Sequence, residues 1–128
     1  MSLRNFFAGL DSLFSQKKVA EAEEYLANHL ELAQNAQDIN YQLAVLNEQV
    51  GYYRSLSRST QSLAAAELAM AIISQPELAE TTSAATTMLN VATALRAAGK
   101  ITEALDLYKK VDKLYTKHLE PGDGRRAA

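Results

Sequence analysis

The sequence predicts an all-α fold in which antiparallel helical hairpins stack on one another. Glycine and proline, the residues that most often interrupt helices, number only five and two among 128 residues. Apolar residues recur at spacings of three and four, and no segment shows the alternation of a half-buried strand. A pattern of residue sizes also returns at a fixed interval, which is typical of stacked helical repeats.

Two helices are predicted in the first third of the chain. The first runs from about Leu3 to Ser15, and after a break the second runs from Lys18 to about Ala36. Each carries one apolar stripe, as expected of a helix that packs against a neighbour. The residues of these stripes are Phe6, Phe7, Leu10, Leu13, Phe14, Val19, Ala22, Leu26, Leu30 and Ala33.

A second pair of helices occupies the middle of the chain. Asp38 is the expected N-cap of the third helix, which continues through Leu56. Ser59 or Thr60 is the expected N-cap of the fourth, which ends before Pro76. The break between the two helices is short, so they are expected to lie antiparallel.

A third pair completes the predicted architecture. The fifth helix runs from about Ala79 to Ala98 and stops at Gly99, and the sixth begins at Ile101 and ends at about Leu119. One domain of residues 1–120 is therefore expected, followed by a tail, residues 121–128, which is the start of a further repeat or the end of an expressed fragment. The three predicted hairpins cover about residues 3–36, 38–75 and 79–119.

The middle and last hairpins align with each other in sequence. Arg54 and Arg96 lie 96 − 54 = 42 residues apart, and their flanking segments align without gaps. Ser57 then falls at the position of Gly99, the predicted turn glycine. Another aligned pair is Ser62 with Ala104. Size and polarity agree at most positions, which indicates a recurrent hairpin.

The segment from Leu89 to Tyr108 resembles a tetratricopeptide repeat, in the long variety of kinesin-light-chain-like proteins. Ala92, Gly99 and Ala104 fall where that family has small residues that let paired helices approach closely. The family's second helix is extended, as it is here, so the period exceeds about 34 residues. The resemblance implies a right-handed superhelical stack of three antiparallel hairpins, a tetratricopeptide-like α-solenoid. It also implies a non-catalytic scaffold that binds a protein or peptide on its concave face.

The first hairpin departs furthest from this pattern. Its second helix begins with Val19 to Glu23, which fits the family, but the spacing then shifts by two residues. His29 consequently falls where a small residue is expected. We therefore expect the first hairpin to pack differently from the other two.

Polar residues at helical spacing mark the candidate binding face. One set follows the i, i+4, i+7 spacing on the third helix, and a similar set lies on the fifth. An asparagine at such a position in related repeats forms hydrogen bonds with a peptide backbone, because its amide both donates and accepts hydrogen bonds. The two arginines would bind a carboxylate or phosphate, unless they are solvated or paired with a nearby glutamate. The candidate residues are Asn47, Gly51, Arg54, Asn90, Thr93 and Arg96.

Composition argues against several other functions. A net charge of −2 gives no reason to expect a nucleic-acid partner, and no apolar run is long enough to cross a membrane. Cysteine is absent, which suits a cytoplasmic protein. His29 and His118 lie far apart in sequence, and no known catalytic or metal-binding motif is present. We therefore expect no enzyme activity, no cofactor and no metal, and interpret both histidines as incidental residues of amphipathic helices.

The aromatic residues have two interpretations. Phe6, Phe7 and Phe14, together with Tyr52 and Tyr53, form either a hydrophobic anchor site or part of the core. Aromatic residues at helical spacing are more often core. Within the tyrosine pair, Tyr53 is expected to take the core position and to turn Tyr52 partly outward.

The sixth helix carries more apolar side chains than one preceding helix can cover. A solenoid normally ends in a polar capping helix, and none follows here. Either the chain is cut from a longer array, which we favour, or a homodimer buries this face. The second alternative would make the chain a self-assembly module. The candidate self-association residues are Ile101, Leu105, Leu107, Leu114 and Tyr115.

Overall fold

A computed structural model describes residues 2–118 of the chain. Those residues form six helices and no strand, which confirms the all-α prediction and is compatible with a solenoid of helical repeats. Five helices begin and end within one residue or so of their predicted limits, and α5 begins three residues later than predicted. The helices are α1 (Leu3–Ser15), α2 (Val19–Asn35), α3 (Ile39–Ser55), α4 (Ser59–Ile73), α5 (Thr82–Ala97) and α6 (Ile101–His118).

The chain divides into two compact units, Met1–Gln49 and Val50–Ala128. The first unit contains α1, α2 and most of α3, and the second contains the end of α3 with α4, α5 and α6. A single domain of three hairpins over residues 1–120 stays a prediction. The predicted tail, residues 121–128, lies outside the described residues.

Four helices end in the same backbone turn. The residue just past the helix has a left-handed conformation, with φ of 58° at Lys17, 53° at Gln37, 58° at Ser57 and 84° at Gly99. In each turn the next N–H donates to the carbonyl five residues back, as in the 2.9 Å bond from Lys18 to Leu13. This is the Schellman arrangement. It confirms Gly99 as a stop and shows that Ser57 adopts the conformation of the glycine with which it aligns.

The N-terminal caps follow the predictions only in part. The Asp38 carboxylate accepts from the backbone N–H of Tyr41 at 3.1 Å, as expected of an N-cap. The predicted cap of α4 is wrong, because Arg58 occupies the N-cap and makes no side-chain cap bond. The turn at Ser57 leads directly into the helix, since the Arg58 carbonyl already accepts from the N–H of Ser62 at 3.0 Å. Ser59 is therefore helical rather than capping.

The start of α5 is set by a threonine. The Thr81 hydroxyl accepts from the N–H of Ala84 at 3.1 Å and caps the helix. The preceding residues are held in turns, for example by the 2.9 Å bond from the N–H of Ala79 to the carbonyl of Gln75. Because of these local bonds, α5 begins at Thr82 and not at the predicted Ala79.

One face of α1 forms part of the core of the first unit. Phe6 and Leu10 are fully buried, whereas Phe7 and Phe14 are 37% and 40% exposed. The interpretation of all three phenylalanines as core is therefore wrong for two of them. Phe7 and Phe14 are seven residues apart, so they share a face of α1 next to the one that Phe6 and Leu10 bury.

The close approach of α2 to α1 requires a glycine. The Tyr25 hydroxyl donates to the carbonyl oxygen of Phe6 at 2.8 Å. A Cβ atom on Gly9 would lie only 2.3 Å from that hydroxyl oxygen. The hydroxyl therefore reaches the backbone of α1 because position 9 has no side chain.

The two glycines that lie in helices of residues 2–118 should respond in opposite directions to alanine. Gly9→Ala gains helix propensity of about 1 kcal/mol but displaces the Tyr25 ring, so we expect a net loss of about 1 kcal/mol. Gly51→Ala is the matched control, since its Cβ would meet nothing closer than Arg54 Nη2 at 3.7 Å. It should gain up to about 1 kcal/mol. Urea denaturation midpoints test both changes, and equal stabilisation by the two alanines would contradict the close approach at Gly9.

Small residues allow tight packing in the second unit. Ala66, Ala69, Ala92 and Ala104 are all buried on facing helices. Ser62, which aligns with Ala104, is 2% exposed, and its hydroxyl donates to the carbonyl of Val50 at 2.9 Å. The serine thus takes the place of an alanine without leaving a buried donor unsatisfied.

The predicted orientation of the tyrosine pair is wrong. Tyr52 is buried, with 6% exposure, and Tyr53 is only half-buried. The guanidinium of Arg58 lies over the Tyr53 ring, 4.8 Å from its centroid. A cation on the ring face keeps Tyr53 near solvent, because the charged group must stay hydrated.

Candidate functional site

A band of polar side chains lies along α5 in the second unit. Arg54 Nη1 donates to Asn90 Oδ1 at 3.1 Å and so links α3 to α5. Two hydroxyl pairs link α5 to α6, each with an oxygen–oxygen distance of 3.4 Å. They join Thr93 to Tyr108 and Thr86 to Tyr115. We call these six residues, Arg54, Thr86, Asn90, Thr93, Tyr108 and Tyr115, the polar row.

Helical periodicity places the members of the polar row. Thr86, Asn90 and Thr93 follow at intervals of four and three residues, so they share one face of α5. Tyr108 and Tyr115 are seven residues apart on α6, which matches the spacing of the two threonines on α5. With a rise of about 1.5 Å per residue, the row extends about 10 Å along α5. Donors and acceptors are thus spread over the length of about three residues of an extended peptide.

Arg54 supplies the positive charge of the row. It stands in the last turn of α3, where the helix dipole favours a cation. Its guanidinium is half-buried and is oriented by the bond to Asn90, which uses one of its five N–H donors. Neither Arg54 nor Arg96 forms an ion pair with a glutamate or aspartate of residues 2–118.

The other predicted partner-binding residues lie apart from the Arg54–Asn90 bond. Arg96 is exposed. Gly51 is half-buried on α3, one turn before Arg54. Asn47 belongs to the first unit, and its amide donates to the carbonyl of Leu43 at 3.1 Å within α3. A binding role for these residues stays a prediction.

The predicted self-association residues differ in how far their side chains are exposed to solvent. Ile101 and Leu105 are 50% and 53% exposed and lie one turn apart on α6. Leu107 is buried, which corrects its assignment to the uncovered face. It lies two positions from Leu105 and therefore points to the opposite side of the helix, which α5 covers. Leu114 and Tyr115 are half-buried.

A groove of about 590 Å³ forms a second concave surface in this unit. Its floor is apolar and includes Leu63, Met70 and Val91, and charged side chains of both signs, including Glu67 and Lys100, stand around it. The groove is lined by side chains of α4, α5 and the start of α6, whereas Arg54, Asn90 and the hydroxyl pairs do not line it. The unit thus offers two chemically different surfaces.

The hydroxyl pairs were not anticipated from the sequence. From the sequence, Tyr115 is expected among the self-association residues, and Tyr108 only ends the segment that resembles the repeat. Their seven-residue spacing, matched by Thr86 and Thr93, is the signal that would have indicated the pairing. Within residues 2–118 no three histidine, aspartate or glutamate side chains are placed to hold a metal ion. None of the helices in this part of the chain has the length and apolar character needed to cross a membrane.

Comparison with known families identifies the last hairpin. Residues 84–123 match the family model of the tetratricopeptide repeat. The last hairpin is similar to a tetratricopeptide repeat. The match covers less than half of the chain, and it includes every α5 and α6 member of the polar row. No curated protein and no solved structure is similar enough to count as a match.

The tetratricopeptide repeat is a non-catalytic scaffold fold that generally mediates protein–protein interaction. The sequence-based recognition of a repeat between Leu89 and Tyr108 is confirmed by a match over the same residues. The kinesin-light-chain-like variety of that repeat stays a prediction. Five of the six members of the polar row, all except Arg54, lie in the segment that is similar to this repeat.

Proposed function

We propose that the chain is a cytoplasmic, non-catalytic scaffold whose polar row binds an extended segment of a partner protein. The proposal rests on the Arg54–Asn90 bond, which joins two helices 36 residues apart in sequence and fixes a guanidinium beside an amide. An extended peptide offers alternating carbonyl and N–H groups at about 3.3 Å per residue. The guanidinium of the row can donate to the former. The hydroxyl oxygens of Thr86 and Thr93, which donate to the carbonyls of Thr82 and Leu89 within α5, can accept from the latter.

The charge of Arg54 adds a preference to this recognition. Because the guanidinium is half-buried and already oriented, little side-chain entropy is lost when it binds. A carboxylate or phosphate on the partner would make a charge-assisted hydrogen bond with it. We therefore favour a partner segment with an acidic group next to a stretch of exposed backbone.

Peptides selected from a random library on the purified protein provide the test. We expect Arg54→Ala and Asn90→Ala each to weaken binding of a selected peptide by about tenfold or more, which corresponds to about 1.4 kcal/mol. Lys100→Ala is the charge-matched control, because it removes one cation from the groove and leaves the polar row unchanged. Isothermal titration calorimetry measures each affinity.

Two results would overturn this assignment. Peptides that bind the Arg54 and Asn90 variants as tightly as the unaltered chain do not use the polar row. If Lys100→Ala or Met70→Ala weakens binding while Arg54→Ala and Asn90→Ala do not, the partner binds in the apolar groove instead. Arg96→Ala extends the measurement to the remaining predicted arginine, and a loss as large as that of Arg54→Ala would add Arg96 to the site.

Self-assembly is a second candidate function. It is supported by Ile101 and Leu105, which lie one turn apart and expose half of their surface. Two such side chains on one helical face can anchor a contact between copies of the chain. This surface is smaller than predicted, because Leu107 is not part of it.

A further inference from the structure

A buried histidine lies at the centre of the aromatic cluster in the first unit. His29 of α2 is only 7% exposed. Its ring centroid lies 4.1 Å from that of Tyr25, 5.1 Å from that of Phe6 and 6.0 Å from that of Tyr41. These rings come from α1, α2 and α3, so His29 contacts all three helices of the unit. It is therefore not an incidental residue of an exposed helix face.

We infer that His29 is an acid-sensitive latch, and that protonation of its imidazole releases α1 from α2 and α3. In the neutral form, Nδ1 is hydrogen-bonded to the Tyr41 hydroxyl. Burial raises the pKa of Tyr41, and the charges of Tyr25 and Asp38 add to this, so the hydroxyl stays protonated. In the tautomer with an unprotonated Nδ1, the hydroxyl donates to Nδ1. Protonation of Nδ1 removes that acceptor, so the hydroxyl must rotate and accept from the imidazolium instead.

The surroundings of His29 among residues 2–118 offer no close anionic side chain for a positive charge. On α1 it faces the uncharged ring of Phe6, on its own helix Tyr25, and on α3 Tyr41, with Asp38 one turn before. Within residues 2–118 no carboxylate lies within ion-pair distance of the imidazole. An imidazolium there would be buried among rings without an anionic partner, which is costly.

The sign of the pH effect follows from this burial. Burial lowers the pKa of His29 below its ordinary value of 6.5, and the positive charge of the amino terminus lowers it further. The unfolded chain therefore binds the proton more readily than the folded chain. The stabilising contribution of neutral His29 is complete above about pH 6.5 and is lost as the pH falls from there towards the folded pKa.

A second titratable group of the first unit acts in the opposite direction. Burial, with the charge of Asp11 on α1, raises the pKa of Glu48 on α3 above its ordinary value. Glu48 therefore takes up a proton more readily in the folded state, and its protonation strengthens the fold as the pH falls through that raised pKa. The response of the first unit to acid therefore combines a loosening caused by His29 with a strengthening caused by Glu48.

Amide hydrogen exchange of α1 tests the latch. After correction for the intrinsic rate, amides of residues 3–15 should exchange about tenfold faster near pH 5.5 than near pH 7.5. His29→Gln keeps an acceptor for Tyr41 but cannot be protonated, so its corrected exchange should not become faster as the pH falls. His118→Gln, which removes the only other histidine, is the control and should respond like the unaltered chain.

Nuclear magnetic resonance titration of the His29 ring gives an independent measure if His29→Gln does not fold. A folded-state pKa below 6.5 supports the latch, and one at or above 6.5 overturns it. Exchange of α1 that is independent of pH in the unaltered chain would also overturn it. The latch would also be overturned if His29→Gln showed the same pH response as the unaltered chain.

Discussion

Replacement of Phe6 by alanine is expected to destabilise the first unit by about 3–5 kcal/mol. Phe6 is fully buried, and its ring lies within 6.0 Å of those of Tyr25, His29 and Tyr41, measured between centroids. The loss combines the transfer of a large aromatic side chain to water with the cavity left among these rings. A loss of that size is a large fraction of the stability of a small domain, so α1 should lose most of its protection from hydrogen exchange.

Phe7→Ala is the matched control for this change. The two phenylalanines are adjacent in sequence, but the Phe7 side chain is 37% exposed and contacts the Phe6 ring from outside, at 5.0 Å between centroids. Its removal should cost no more than about 1 kcal/mol. Urea denaturation followed by near-ultraviolet circular dichroism distinguishes the two variants. Similar losses at both positions would show that the burial of α1 is not as described.

Leu107→Ala should have a large effect in the second unit. Leu107 is buried on the side of α6 that packs against α5. We expect a loss of about 2–5 kcal/mol, from the removed apolar surface and from the cavity between the two helices. Leu105→Ala, two residues away and 53% exposed, should change the free energy of unfolding by no more than about 0.5 kcal/mol. Thermal unfolding of both variants at one protein concentration measures the difference.

The same two variants separate folding from self-assembly. If copies of the chain associate through the exposed side of α6, Leu105→Ala should weaken that association while leaving the fold intact. Analytical ultracentrifugation over a range of concentrations reports the dissociation constant. An unaltered chain that stays monomeric at every concentration would remove self-assembly as a function, whatever the stability of the variants.

The helices could be predicted from the sequence because their signals are local. Apolar periodicity and the cap at Asp38 depend only on neighbouring residues, and both hold in the structure. Which of two adjacent aromatic residues is buried depends on contacts made elsewhere in the chain. The orientation of Tyr52 and Tyr53 therefore could not be read from spacing, since the cation over Tyr53 comes from Arg58, beyond the end of the helix.

The candidate site was predictable to a similar extent. Arg54 and Asn90 were both selected by helical spacing, and the structure brings them together. The pairs of hydroxyl groups beside them could not be predicted in the same way. A tyrosine such as Tyr108 has an apolar ring that fits a core stripe and a hydroxyl that fits a polar face, so spacing alone does not decide between the two. The sequence shows that His29 departs from the repeat pattern. Its role could not be predicted, because it depends on contacts with rings of two other helices that are distant in the sequence.

The shared turn at the helix ends has a consequence for how such hairpins are recognised. The bend within each hairpin is built from main-chain bonds, so lysine at position 17, serine at 57 and glycine at 99 all serve it. The interval between bends stays nearly constant, at 57 − 17 = 40 and 99 − 57 = 42 residues. The geometry of the bend therefore does not depend on one residue type. The family match covers the hairpin whose bend contains glycine, so the spacing of bends is a better guide than residue identity to the other hairpins.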